Sequence, residues 1–349
     1  MRNGVRYGRN GLRFRTDEAK QLYAYLRQND CLSVSSGSLP FCSILPVSDT
    51  LGFLSETAPE SALRVNASFF TMNPFDIASV YDAIGTPIGL CVKNGEILNP
   101  PLFQRETLLV DEHGTVSIRF LSLDELTFEC GTATYVPNQN CTIFARPDHR
   151  RTVSGGYDTV IIGTTVTAFS DRPVSVPSSG FVLHTDHRPK VQIGEHIRIH
   201  GLEWVRFGIQ AGNSAILDGT PVTRFRSSFS NLLNPFSTPV PPTFYPLHYR
   251  TDRAPRILLG EDCEHHPAIV WIEGAGKFGY EKGLESSGAS LLESAYIAES
   301  LGLTNAVHLD GGGSAQILLS GKRYLHLSDR DPHTFIEQER AVAMALTAG

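Results

Sequence analysis

Between Ala268 and Leu319 the chain runs through an apolar stretch A268-I-V-W-I272, a helical pattern over 290–301, a second apolar stretch A306-V-H-L309, and then D310-G-G-G-S314. This order constrains the fold more than any other feature. A strand, a helix and a second strand in succession form a crossover unit. If the two strands share a sheet they run parallel, with a right-handed connection. Their carboxyl ends then share one edge, the edge where ligands collect in sheets covered by helices. Glu273 and Asp310 stand at those two ends. Upstream, R256-I-L-L-G260 and the loop through Pro267 predict an antiparallel partner for 268–272, which sets Arg256 opposite the end of that strand, near Glu273. One guanidinium and two carboxylates are therefore expected to converge.

Three consecutive glycines after an aspartate exceed what a hairpin needs, since Asp-Gly alone suffices. Each glycine costs backbone entropy and gives the core nothing. Successive N–H groups at Gly311, Gly312 and Gly313, with no Cβ in the way, make a concave donor surface suited to an oxyanion, and Ser314 adds a hydroxyl. The structural alternative is a wide glycine-rich turn with Asp310 as its local cap.

The remainder reads as short β runs divided by turn signals. Asn94-Gly95 between I88-G-L-C-V92 and E96-I-L98 predicts a hairpin. Further strands are expected at 107–110, 115–120, 158–162, 180–184 and 214–217. Helical spacing is confined to 16–29 and 290–301, the latter with Leu291, Leu292, Ala295, Ala298 and Leu301 on its buried face and Gly302 at its end. The fold class expected is α+β, with mixed β-sheets and few helices. Residues 1–58 read as an N-terminal helical extension and 59–349 as one catalytic domain. Residues 222–250 mix prolines and serines with aromatics, as an ordered loop over a site or over a sheet edge would.

A net charge of −6 with no Lys/Arg block argues against nucleic acid or an anionic membrane as partner, and no apolar stretch reaches transmembrane length. The basic N-terminus lacks an apolar signal core, so a cytoplasmic location is expected. The six cysteines form no C-x-x-C pair; Cys31/Cys42 and Cys130/Cys141 are spaced for disulfides, but free thiols are the expectation without an export signal. The sequons at Asn66 and Asn140 depend on the same question.

Several ordered segments resemble the phosphodiester glycosidase family. They are L309-D-G-G-G-S314, V65-N-A-S-F-F70, P87-I-G-L-C-V-K-N-G-E-I97, A254-P-R256 with Gly260, G279-Y-E-K-G283 and R340-A-V342. Together they span roughly residues 60–345. The chain departs from the family pattern at His308, where Asn is usual, at Ala315, at Ala67-Ser68, and at Glu273-Gly274-Ala275, which replaces Asp-Gly-Arg. The resemblance implies a hydrolase that cleaves a sugar C1–O–phosphate bond. Arg256 and the Gly311–Gly313 amides would hold the phosphate. Asp310 would face the anomeric carbon as nucleophile or electrostatic stabiliser, and Glu273 would serve as general acid/base or as an ion-pair partner of Arg256. Asn66 would hydrogen-bond a sugar hydroxyl, His308 and Ser314 would line the substrate, and Arg340 would either add a charge to the phosphate or form a structural ion pair.

No cofactor is expected, while a divalent metal is left open. The partner implied is a small sugar phosphodiester or nucleotide sugar. Two alternatives stay open at this level: a cytoplasmic biosynthetic or tailoring enzyme on a nucleotide sugar or phosphorylated natural product, and a non-catalytic sugar-phosphate or nucleotide-binding module. G274-A-G-K-F-G279 lacks the helix a dinucleotide loop requires. His184/His187 sit at a strand end without a clear third ligand, His265/His266 read as surface or core histidines, and S320-G-K-R323 is a hairpin turn.

Overall fold

The computed structural model describes residues 5–7, 33–38, 42–47, 51–72, 74–77, 79–101, 106–146, 149–210, 212–223, 252–274, 286–323 and 326–348. The predicted 16–29 helix, most of the 222–250 loop, Cys31 and the 279–283 segment lie outside them. Within them the protein is mostly β, with one α-helix, Leu291–Ser300, and several short 3-10 turns.

The sheet that carries the site has seven strands, ordered Val5–Tyr7, Val34–Ser38, Pro267–Ile272, Arg256–Asp262, Leu303–His308, Ser214–Leu217, Thr220–Pro221. Arg256–Asp262 lies between the two strands of the crossover and pairs antiparallel with both. Those two strands are consequently parallel to each other without touching, and Glu273 and Asp310 do emerge at one end. The ladders between described strands are all antiparallel, so the mixed character reduces to this parallel sense of two separated strands.

The helix begins at Ser290, whose hydroxyl accepts from the Glu293 amide while the Glu293 carboxylate accepts from the Ser290 amide, a reciprocal capping box. Residues Leu291 through Glu299 are all buried. Gly302 follows with φ +83°, the left-handed geometry that ends a helix. The helix packs on one face of the sheet against Leu258, Val270, Ile272 and Ala306. The other face presents Ile257, Leu259, Trp271, Val307 and Leu309 to the main core.

That core is closed by a five-stranded sheet in which Leu63–Asn66 lies between Met344–Ala348 and Ile317–Leu319. Its outer strand is Ser43–Pro46, and Val34–Ser38 belongs to the seven-stranded sheet. Residues 33–46, expected in a helical extension, thus supply two strands to the body of the protein. The predicted hairpin at Asn94-Gly95 is present, with both turn residues at positive φ, between Cys91–Lys93 and Glu96–Asn99. A second core lies among the sheets built from residues 90–205. Cys91, Cys130, Cys141 and Cys263 are free thiols, and burial pushes Cys130 and Cys141 up to about 11. Among the described residues no helix is long and apolar enough to cross a membrane.

Candidate active site

Side-chain alternation decides who meets whom at the charged end of the sheet. Arg256 faces the same side as Leu258 and Ile272, toward the helix. His308 faces that side too, with its Nε2 2.8 Å from Ser294 Oγ on the helix. Asp310, two residues further on, completes the set; its charge and that of Arg256 act on each other. Glu273 follows Ile272 and shares the parity of Trp271, so it sits on the opposite face. Its carboxylate accepts from the His326 amide at 3.2 Å and lies 3.8 Å from the His326 imidazole. Arg256 and Glu273 therefore share an edge without pairing, because opposing backbone positions do not bring together side chains of opposite parity.

Arg256 is buried. Its Nε donates to the Ala289 carbonyl at 3.0 Å and one terminal nitrogen to the Asp252 carbonyl at 2.9 Å. Burial lowers its pKa to about 10, against the opposing pull of Asp252, Asp310 and Glu293, and the group remains a cation at neutral pH. Beside it, Arg253 forms a two-pronged ion pair with Glu293 at 2.8–3.2 Å, which ties the entering strand to the helix cap.

Asp310 is buried, and burial raises its pKa to about 7. The Ser314 hydroxyl, Arg340, the Gly311 amide and Arg256 all pull the other way. A carboxyl so placed changes charge near neutrality, as a group that exchanges protons during a reaction should.

The three glycines answer three separate needs. At Gly311 a Cβ would come within 2.9 Å of the Pro255 carbonyl. Gly312 sits at φ +59°, a left-handed turn that returns the chain toward the sheet. At Gly313 a Cβ would fall 2.2 Å from Asp329 Oδ1 and 2.3 Å from an Arg340 nitrogen. The amides are also divided: Gly311 donates to the Asp310 carboxylate and Gly312 to the Pro255 carbonyl at 3.0 Å. Only the Gly313 amide has no protein acceptor among the described residues, so the expected three-amide cradle is reduced to one open donor.

Arg340 lies over this loop in a two-pronged pair with Asp329, at 2.7 and 2.9 Å, and its remaining nitrogen reaches Met72 Sδ at 3.4 Å. Arg340 is thus ion-paired in the structure, and its charge still acts on Asp310. His308, expected to line the substrate, has both ring nitrogens engaged: Nδ1 lies 2.9 Å from the Asn213 carbonyl and Nε2 meets Ser294. Burial and the nearby Arg256 depress it to about 3, so it is a neutral structural imidazole that donates from Nδ1. Asn66, expected at a sugar hydroxyl, is buried and engages loop backbone at both ends of its amide. Sequence reasoning missed Asp329 and Gln316. Neither falls in a recognisable motif; Asp329 could be found only as an acid within pairing range of Arg340.

Among the described residues no group of three or more His, Cys, Asp or Glu side chains is poised around a metal.

Residues 177–348, just under half of the chain, match the phosphodiester glycosidase family. This part of the protein is a phosphodiester glycosidase family domain. It contains Arg256, Glu273, the glycine loop and Arg340, and it excludes Asn66, whose strand nonetheless braces the loop. The fold is shared with a hypothetical protein from Synechocystis at 18% identity and a TM-score of 0.55, covering 99% of this chain and 61% of that one. It is shared with a protein from Burkholderia pseudomallei K96243 at 18% identity and a TM-score of 0.52, covering 91% of this chain and 73% of that one. The catalytic domain of zebrafish N-acetylglucosamine-1-phosphodiester alpha-N-acetylglucosaminidase, auto-inhibited by its pro-peptide, aligns at 12% identity and a TM-score of 0.48 over 91% of this chain and 77% of that one. A search of curated proteins found no match.

Proposed function

We propose that the protein hydrolyses a glycosyl phosphodiester, breaking the bond between the sugar C1 and the phosphate oxygen. The observation that carries this reading is Asp310: a buried carboxyl on the glycine loop, within the fields of two guanidinium groups, with its pKa raised to about 7. The family match of the surrounding domain supports the same chemistry.

A phosphate ester leaves without strong protonation, so the protein's main task is to neutralise charge and to support an oxocarbenium-like carbon. Arg256 and the open Gly313 amide receive the phosphate oxygens in this reading. Asp310, ionised, faces the anomeric carbon and takes a proton from water as the water oxygen bonds to C1. The C1–O bond breaks with its electron pair going to the departing phosphate monoester. Glu273, on the other sheet face and bonded to the His326 amide, serves to anchor the 326–337 segment.

The test is turnover of a simple alkyl or aryl glycosyl phosphodiester across pH. Rate should rise with pH through about 7, as Asp310 ionises, and Asp310→Asn should lose roughly 10³-fold or more. Tight binding of the diester without turnover by the wild type would identify a binding module instead.

A further inference from the structure

The strand Leu63–Asn66 ends beneath the glycine loop, and its last residue makes a specific set of contacts there. Asn66 Nδ2 donates to the Asp310 carbonyl at 2.7 Å, and Asn66 Oδ1 accepts from the Gln316 amide at 2.9 Å. The next residue, Ala67, accepts from the Asp310 amide at 3.2 Å. Gln316 extends the series: its Nε2 donates to the Arg340 carbonyl at 2.7 Å. Asn66 and Gln316 are both buried. Two side-chain amides, joined through the Gln316 backbone, thus link the backbone of Asp310 to the backbone of Arg340 across segments far apart in sequence.

We propose that Asn66 and Gln316 are positioning residues: their amide relay fixes the Asp310 carboxylate relative to the Arg340 guanidinium and holds the glycine loop in its reactive shape. The inference rests on the reading of Asp310 as the reacting carboxylate. The geometry goes beyond ordinary strand pairing. Asn66 contacts both ends of the 310–316 loop with one planar group, so shortening or replacing it releases both ends at once. Arg340 has its own lock, the Asp329 fork, which fixes its guanidinium; the relay fixes the backbone from which that guanidinium extends. The charged groups around Asp310 are Arg256 from the central strand and Arg340 from the C-terminal segment. Asp252 and Glu293 stand beside Arg256, and Asp329 stands beside Arg340.

A role in tertiary packing alone would lower stability and leave the Asp310 environment unchanged in whatever fraction stays folded. A positioning role alters that environment in the folded protein. The experiment is a carboxyl-carbon NMR titration of Asp310 in the full chain, comparing wild type with Asn66→Ser, Gln316→Met and the double variant, with folding checked by urea denaturation. Gln316→Met keeps side-chain length and volume close while removing the donor to Arg340, so the titration stays readable if Asn66→Ser unfolds. The expected result is an upward movement of the Asp310 midpoint by about half a unit or more in each folded variant, because the Arg340 charge that holds it down has moved away. The double variant should move little further, since the relay acts as one unit. On a glycosyl phosphodiester, kcat should fall roughly 10- to 100-fold with KM within about threefold. An unchanged midpoint in folded variants overturns the relay. The titration needs no substrate, so a shifted midpoint in a protein that turns over no diester supports the relay and discards the proposed reaction.

Discussion

The two faces of the seven-stranded sheet, compared at their shared charged end, differ in kind. The helix-covered face carries Arg256, His308 and Asp310, all buried, with pKa values moved to about 10, 3 and 7. The opposite face carries Glu273, whose partners are a backbone amide and an exposed imidazole. The two carboxylates follow strands of the same sense, yet one lies in the field of two guanidinium groups and the other accepts from the backbone of the segment that begins at His326. The difference comes from the count of residues between the last strand position and the acid, because one step along a strand reverses the face.

After Asp310→Asn, the largest effect expected from a conservative change on the reactive face is that of Arg256→Lys. A lysine lacks the fork that now spans Ala289 and Asp252 while, among the described residues, leaving a nitrogen for substrate, so kcat/KM should fall about 100-fold, or ~2.7 kcal/mol. Steady-state kinetics on a folded variant checks this, and a loss under about threefold would detach Arg256 from the reaction.

Stability against pH should split the face further, with opposite signs for its two titrating groups. Asp310 holds its proton up to about 7 when folded but gives it up near 3.8 when unfolded, so its contribution to stability is lost as pH rises through that window. His308 stays neutral down to about 3 when folded but binds a proton near 6.5 when unfolded, so its contribution is lost as pH falls through that window. Asp310→Asn should therefore gain most, relative to wild type, at about pH 8, and His308→Asn should gain most at about pH 4. Thermal melts at both pH values read this directly, and the same trend in both variants would contradict the assigned environments.

A smaller effect belongs to the loop. Gly312→Ala forces a Cβ into left-handed backbone where no atom crowds it, so the cost is conformational, about 1 kcal/mol. Urea denaturation measures it. A much larger loss would mean that the turn is coupled to the Arg340–Asp329 fork above Gly313.

Much of this arrangement was legible in the sequence. The strand–helix–strand order fixed the common end of Glu273 and Asp310, and the hairpin logic set Arg256 opposite Ile272, as the register has it. The capping box and Gly302 bounded the helix because these signals are local. What the sequence could not convey was parity at the strand ends. The last paired residue is Ile272 on one strand and His308 on another, and that single offset separates Glu273 from Arg256. The partners of Asn66, His308 and Arg340 were equally hidden, since Gln316, Asn213, Ser294 and Asp329 reach them through tertiary packing. The glycine run was read as one device for anions. In the structure it meets three local demands, a carbonyl at Gly311, a left-handed turn at Gly312 and an ion pair over Gly313.

The most direct measurement sets the two carboxylates against each other: kcat/KM of Asp310→Asn and Glu273→Gln on the same glycosyl phosphodiester, at a pH above 7 and with both variants folded. Asp310→Asn should lose roughly 10³-fold or more while Glu273→Gln stays within about fivefold of wild type. Comparable losses in both, or a larger loss at Glu273, would contradict the assignment of the chemistry to the helix-covered face.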